Sequence, residues 1–115
     1  MKNNYLIWLD DERPVPEHIY ENFNKEKGFS ILIASNYDAT ISWLDATRTF
    51  QSNIQLIVSF DHDLGMGKTG YDVAKYIVEN HIKLDAYDIH SMNPVGVLNI
   101  SELLNHYGYK RVYIV

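Results

Sequence analysis

Acidic side chains follow two apolar runs of this sequence at the point where each run stops. Asp10 and Asp11 come directly after one run, and Asp61 and Asp63 follow another. Crowded carboxylates resist joint ionisation unless a cation joins them. Oxygen ligands of this kind suit Mg²⁺, or Mn²⁺, together with water and a substrate phosphate. The four acids therefore predict a divalent-cation site, the alternative being solvated acids at strand ends.

Two histidines take similar positions. His62 and His90 each follow an apolar run. Histidine is the usual general acid or base near neutral pH. With Asp61 beside them, these two residues are the candidate catalytic groups, and the alternative for each is an ordinary loop histidine.

Candidate phosphate ligands lie near the acids. Arg13 could clamp a phosphate with two parallel hydrogen bonds, or it could pair with Glu12 or Asp11. Ser91 and Asn93 stand at the predicted start of a helix, where free N–H groups favour an anion. The alternative for Asn93 is that it only caps this helix.

The stretch Gly65–Gly70 matches the pattern G-x-G-x-x-G. A dinucleotide-binding turn should follow its strand at once, usually the first strand. Here four residues intervene and the strand is the third. A P-loop would need its first glycine at position 62, which is His62. The stretch therefore predicts a flexible loop over the pocket, with Lys68 as a phosphate contact.

Five apolar runs and four helical segments alternate along the chain. The predicted strands are Tyr5–Leu9, Phe29–Ala34, Ile54–Phe60, Ala86–Ile89 and Tyr109–Val115. The predicted helices are Glu17–Lys27, Tyr37–Phe50, Tyr71–His81 and a last one from Asn93-Pro94 to Gly108. Such alternation predicts an α/β fold with a five-stranded parallel sheet, flavodoxin-like in three layers. In its order 2-1-3-4-5, the first and third strands are neighbours roughly 5 Å apart, so their acids meet.

Composition limits the classes of function. The chain has 115 residues, which suits one domain over 1–115, and a net charge of -5 with no basic run. A broad nucleic-acid surface is therefore not expected. Because there is no cysteine and no long apolar stretch, we expect a cytoplasmic protein without disulfides, thiolate metal sites or a membrane span.

Three motifs together resemble a known family. They are the runs Ile7–Pro14, Ser59–Gly65 (followed by Thr69–Asp72) and His90–Gly96. In this order, each at a strand end, they are similar to the cyclic-phosphate-processing receiver-like domains, which are built on the response-regulator fold. The resemblance covers nearly the whole chain. It implies that the protein binds, and hydrolyses, a cyclic phosphate ester.

Ordinary receivers place an acid pair, a phosphate-accepting Asp and a Ser or Thr after their first, third and fourth strands. The matching residues are Asp10 and Asp11, Asp61, and Ser91. The lysine that receivers carry after the fifth strand is missing, and we expect the final helix to be missing too. The added His62 and His90 lie outside the receiver set. These departures count against phosphorelay signalling.

Three hypotheses follow. In the first, Asp10, Asp11 and Asp61 hold a cation, while Arg13, Ser91 and Asn93 position the phosphate of a nucleotide or RNA-end derivative. One histidine then activates water, the other protonates the leaving oxygen, and Asp63 orients a histidine or completes the metal shell.

The second hypothesis is a non-enzymatic receiver-like module for signalling, ligand binding or partner binding. The third is an adaptor or inhibitor that acts through its surface, for which the 9 tyrosines could supply an interface that the sequence does not localise.

Overall fold

The computed structural model describes residues 3–49, 53–64 and 67–114. Four strands and four helical segments alternate. They are β1 (Asn3–Leu9), α1 (Glu17–Ile19, continued as a π-helix over Tyr20–Glu26), β2 (Phe29–Ala34), α2 (Tyr37–Arg48), β3 (Ile54–Phe60), α3 (Gly70–Glu79), β4 (Ala86–Ile89) and α4 (Pro94–His106). The predicted alternation and the first four predicted strands are confirmed.

The strands are apolar on both faces because helices or loops cover both sides of the sheet. Side chains alternate along β1, so that Ile7 and Leu9 face one side while Leu6 and Trp8 face the other. The first side packs against α2, α3 and α4. The second side packs against α1 and the chain that follows α4. This is the predicted three-layer arrangement.

Helix starts follow the local sequence closely. Asn36 caps α2 by accepting a hydrogen bond from the N–H of Ala39 (2.7 Å). Thr69 and Asp72 form a reciprocal capping box at the start of α3. Asn93 caps α4, with a proline as the first helical residue. No helix in the described parts of the chain is long and apolar enough to cross a bilayer.

The sheet is parallel, with the order β2-β1-β3-β4. The prediction that β1 and β3 are adjacent is confirmed. The prediction of a fifth strand over Tyr109–Val115 is wrong, because the sheet among the described residues has four strands. The segment does lie beside β4. Tyr87 donates its N–H to the carbonyl of Lys110 (2.9 Å) and accepts from the N–H of Val112 (2.7 Å).

The pairing stops after these two hydrogen bonds for a local reason. Ile114 donates its N–H to the Oδ1 of Asp88 (3.3 Å). A side chain thus takes the place of the carbonyl that would extend the ladder. Val115, the end of the predicted strand, lies outside the described residues, as do Phe50 of the second predicted helix and Gly65 and Met66 of the glycine stretch.

Candidate functional site

The site lies at the carboxyl ends of β1, β3 and β4, where Asp10, Asp61 and His90 follow the last strand residues. Main-chain hydrogen bonds continue one step past the strands, from the N–H of Asp61 to Leu9 (3.0 Å) and from the N–H of His90 to Phe60 (2.9 Å). The three residues therefore stay in one row. One ligand atom from each lies within 4.8 Å of the others.

Asp10 is the most heavily bonded carboxylate. Its Oδ1 accepts from the N–H groups of Glu12 (2.9 Å) and Arg13 (2.8 Å), and its Oδ2 lies 3.1 Å from the Nε2 of His90. Burial alone would raise the pKa of Asp10. The two N–H groups and the charge of Arg13 outweigh burial and hold the pKa below its ordinary value. Asp10 is therefore a buried anion.

Asp61 lies beside Asp10, but the pKa of its carboxyl is shifted in the opposite direction. It is 8% exposed, and its Oδ1 accepts the N–H of His62 (2.8 Å). Burial, together with the neighbouring charges of Asp10 and Asp11, raises the pKa of the Asp61 carboxyl. Burial is the largest cause of this shift, and repulsion from the two acids adds to it.

Arg13 supplies the positive charge nearest to these acids. Its Nε donates to Asp10 Oδ2 (3.1 Å), and its Nη2 lies 3.6 Å from Asp61 Oδ1 and 3.4 Å from the carbonyl of His90. The pairing with Glu12 or Asp11 considered from the sequence is replaced by this one. Because half of the side chain is exposed, the guanidinium can be offered to an anion in the pocket.

His90 lies beneath Asp10, away from solvent. Its side chain is 3% exposed, and its ring stacks on the indole of Trp8, with centroids 3.9 Å apart and planes within 7°. The Nδ1 atom lies 2.8 Å from the hydroxyl of Ser59. Burial, partly opposed by Asp10, lowers the pKa of His90 to about 4. The His90 ring therefore contacts the lining of the site through the carboxylate of Asp10.

His62 is the more accessible histidine, with a side chain that is 20% exposed. Its Nδ1 lies 3.0 Å from Asp63 Oδ1 and 3.3 Å from the side-chain amide of Asn93. The ring packs against Gly96 in the first turn of α4, where a Cβ would lie 2.3 Å from the His62 Cδ2. Only glycine leaves room for the ring there.

A second glycine fits the chain closely around Asp61. A Cβ at Gly70 would lie 2.0 Å from the Asp61 carbonyl oxygen. The N–H of Gly70 also donates to the carbonyl of His62 (2.6 Å). The last glycine of the G-x-G-x-x-G match therefore serves the approach of α3 to the end of β3.

The start of α4 forms one wall of the site. Asn93 accepts the N–H of Gly96 through its Oδ1 (3.0 Å), so its oxygen is used by the cap while its amide faces His62. Ser91 accepts the N–H of Asn93 (3.1 Å). The hydroxyl proton of Ser91 is then available to an anion.

These side chains enclose a cavity of about 340 Å³. It is lined by Asp10, Asp11, Glu12, Arg13, Asp61, Asp63, Ser91, Met92 and Asn93. Seven of the predicted site residues thus meet at one cavity, with His62 and His90 in contact with its walls. Lys68 is not brought there: its ammonium lies 4.9 Å from the ring of Tyr37, in a separate groove.

Three residues that the sequence analysis did not single out support the site. Trp8, Ser59 and Asp88 lie opposite one another across β1, β3 and β4, two residues before Asp10, Asp61 and His90. All three are buried. Polar residues inside otherwise apolar strands were the available signal, because a buried polar group needs a partner.

The donor set fits a divalent cation. Two buried carboxylates from neighbouring strands lie side by side, and repulsion from Asp10 is one of the causes that raise the pKa of Asp61, after burial. Oxygen donors of this type suit Mg²⁺ or Mn²⁺. Asp10 and Asp61 would hold the ion, with Asp11 and Asp63 on the cavity walls within the same pocket.

Comparison with known proteins finds a matching family model and a similar solved structure. A family model described as "Cyclic-phosphate processing Receiver domain" matches residues 5–106. A solved structure containing yeast Spc42 trimeric coiled-coil amino acids 181–211, fused to another structure, has a TM-score of 0.60 and 18% identity. That match covers 98% of this chain and 69% of the other, and at this identity it shows the fold alone. No curated protein matches the chain.

Proposed function

The chain belongs to the family of cyclic-phosphate processing receiver domains, and we propose that it binds a cyclic phosphate ester at the acidic pocket and hydrolyses the ring. The observation that carries the proposal is the pair of buried carboxylates, Asp10 and Asp61, at the floor of a cavity of about 340 Å³. A cavity of this size suits a small ligand.

Asp10 and Asp61 would hold a Mg²⁺ or Mn²⁺ ion, with Asp11 and Asp63 as further oxygen donors or as acceptors for its waters. When bound, such an ion neutralises phosphate charge and polarises the phosphoryl oxygen. Without a cation, two carboxylates at the floor would repel an anionic phosphate. The proposal therefore requires a cation at this position.

Three side chains on the walls are suited to hold the phosphate. Arg13 offers a planar set of donors from the acid side of the cavity. Ser91 can donate its hydroxyl proton, since its oxygen already accepts the N–H of Asn93. The amide of Asn93 adds a donor from the start of α4, although it also contacts His62. Lys68 lies at another groove and has no part in this arrangement.

We assign the proton-transfer role to His62. If its Nδ1–H donates to Asp63 (3.0 Å), its Nε2 keeps a lone pair that can take a proton from water. The water oxygen bonds to phosphorus as one ring P–O bond breaks. The electron pair of that bond stays on the departing oxygen, which takes a proton from solvent. The product is a phosphate monoester with a free hydroxyl.

His90 has a different part in the proposal. The sequence analysis treated it as a second acid or base, but its ring is buried beneath Asp10 and stacked on Trp8. A group in that position supports a carboxylate more readily than it reaches a substrate oxygen. We therefore place His90 among the residues that hold Asp10.

The test is ring opening of a panel of nucleoside and sugar cyclic phosphates, followed by ³¹P NMR with Mg²⁺ or Mn²⁺. The Asp61→Asn variant removes one carboxylate, and Asp38→Asn, on the exposed surface of α2, makes the same charge change elsewhere. We expect turnover that is lost only in Asp61→Asn. Turnover retained in that variant would remove Asp61 from the mechanism. Ligand-induced thermal stabilisation of the wild type without turnover would support binding and contradict hydrolysis.

A further inference from the structure

A second polar row lies directly below the site row. Ser59 and Asp88 are 0% and 2% exposed, although both are polar and both sit inside strands. They are in register with each other and with Trp8 across the sheet. Side chains two residues apart on a strand share a face. Ser59 and Asp88 therefore point to the same side of the sheet as Asp61 and His90.

Hydrogen bonds join this row to the pocket floor. The Oδ2 of Asp88 lies 2.7 Å from the Oγ of Ser59, which in turn lies 2.8 Å from the Nδ1 of His90. The Nε2 of His90 lies 3.1 Å from the Oδ2 of Asp10. The chain therefore runs without a break from the sheet interior to a carboxylate that lines the cavity.

The donors and acceptors in this series of hydrogen bonds determine which nitrogen of the His90 ring carries a proton. Asp10 accepts three N–H groups from Glu12 and Arg13, so the Nε2 of His90 must donate to it. If Asp88 carries a proton, Asp88 donates to Ser59 and Ser59 donates to Nδ1. If the ring carries that proton instead, the two donations reverse. In both arrangements each hydrogen bond is made, and Nε2–H faces Asp10.

We propose that Ser59 and Asp88 are positioning residues, which fix the ring of His90 so that its Nε2–H holds the Asp10 carboxylate in place for a divalent cation. The cation is part of the proposed function, and this inference rests on it. The arrangement of the His90 ring does not depend on the cation, because it can be measured on the metal-free protein.

The surroundings support a fixed arrangement. Trp8 covers one face of the His90 ring, which prevents tilting. Asp88 is held from its other side, since its Oδ1 accepts the N–H of Ile114 (3.3 Å). Burial raises the pKa of the Asp88 carboxyl, in spite of the hydrogen bonds from Ser59 and Ile114. Partners of this kind behind a ligating carboxylate are the usual means of orienting it.

The first measurement is ¹⁵N NMR of the His90 ring in the metal-free protein, with its signals assigned through His90→Gln. We expect a protonated Nε2 in the wild type and a hydrogen-bonded Nδ1 whose signal shifts in Ser59→Ala. A wild-type ring with an unprotonated Nε2 would overturn the inference, whatever the enzyme assay gives.

The second measurement is the affinity for Mn²⁺ alone. We expect Ser59→Ala to bind Mn²⁺ up to about 10-fold more weakly than the wild type, because Ser59 acts on Asp10 through His90, and the loss of a direct partner of a ligand costs about 10- to 100-fold. Ser59→Thr restores a hydroxyl and should recover most of the affinity. Ser101→Ala removes another buried serine, whose hydroxyl bonds Leu98 in α4, and should leave the affinity unchanged. Wild-type affinity in Ser59→Ala would contradict the inference.

Asp88 has its own pair of variants. In Asp88→Asn the amide can donate to Ser59 while its oxygen accepts from Ile114, so affinity should be kept. Asp88→Leu keeps the branched heavy-atom skeleton but can form neither hydrogen bond, so affinity should fall. Equal affinities in the two variants would exclude a positioning role for Asp88. Failure of the wild type to bind Mn²⁺ would instead reject the proposed function, and the NMR result would still decide the ring arrangement.

Discussion

The imidazole of His90 lies parallel to the indole of Trp8, with ring centroids 3.9 Å apart and planes within 7°. One is the residue after β4, and the other lies near the end of β1. This stack removes one face of the imidazole from water, and the sheet removes most of the rest. Burial is accordingly the largest cause of the lowered pKa of His90, which is about 4.

The pH dependence of stability follows from that pKa. In the unfolded chain His90 binds a proton as the pH falls through 6.5, whereas in the folded protein it stays neutral until about pH 4. The unfolded state therefore binds more protons between these values, and the free energy of unfolding falls as pH falls through this window. We expect a loss of about 3 kcal/mol from this group.

Urea denaturation at several pH values measures this effect, with His90→Gln as the comparison. The variant should show a shallower dependence between pH 6.5 and 4. Equal slopes in the two proteins would mean that His90 does not titrate as its burial implies. His90 is one cause of the lowered pKa of Asp10, so the variant changes Asp10 as well. The pKa of Asp10 lies below its ordinary value, however, so this change falls below the window between pH 6.5 and 4, where the difference in slope reports His90.

Asp61→Asn should separate function from folding. The asparagine oxygen can still accept the N–H of His62, and the repulsion from Asp10 and Asp11 is relieved. We therefore expect an unchanged or increased free energy of unfolding. Affinity for Mn²⁺ should fall by at least about 100-fold, because loss of an outer partner alone costs about 10- to 100-fold. Thermal denaturation and Mn²⁺ titration check both parts, and a destabilised variant with intact Mn²⁺ binding would reverse the expectation.

Arg13→Gln tests the competition between the guanidinium and a cation. Arg13 is a half-exposed partner of Asp10 and Asp61. Its removal should strengthen Mn²⁺ binding by up to about fivefold, because an exposed ion pair contributes up to about 1 kcal/mol. Binding of inorganic phosphate to the Mn²⁺-loaded protein should weaken. Calorimetry measures both affinities.

The matched control is Arg48→Gln, which breaks an ion pair with Asp45 on α2. It should leave both affinities unchanged. The gain in Mn²⁺ affinity should also shrink at high salt, because salt screens exposed charges. Weaker Mn²⁺ binding in Arg13→Gln would show that the guanidinium supports the cation site.

Gly96→Ala should displace His62. The new Cβ would lie 2.3 Å from the His62 Cδ2, so the ring must move away from Asp63 and Asn93. Replacing Gly by Ala stabilises a helix interior by about 1 kcal/mol; Gly96 is in the first turn, where the gain is smaller, and the clash opposes it. We expect turnover to fall by about 100-fold, in the range for a lost general base.

The His62 ring signals in NMR report the displacement directly. Asn99→Ala, on the exposed side of the same helix, serves as the control for a change in helix propensity. Unchanged His62 signals in Gly96→Ala would show that the helix, and not the ring, gives way.

Local sequence determined most of the fold. Strands and helices alternate as predicted, since an apolar run bounded by Asp or Gly and a helix opened by Asn93-Pro94 are features of a few neighbouring residues. The acids at the ends of β1 and β3 meet because parallel strands end at one edge of the sheet. The exception is the fifth strand, where one side chain, Asp88, interrupts a ladder that apolar pattern alone would continue.

The arrangement within the site was decided by tertiary structure. Register between strands places Ser59 and Asp88 beneath His90, and no local pattern specifies register between segments about 30 residues apart. The bond from His90 to Asp10 joins residues 80 positions apart. The choice of Arg13 for Asp10 and Asp61 likewise depends on which carboxylates the folded sheet brings within reach. Sequence named the groups that gather at this edge of the sheet, and packing decided which of them face the cavity and which hold the others in place.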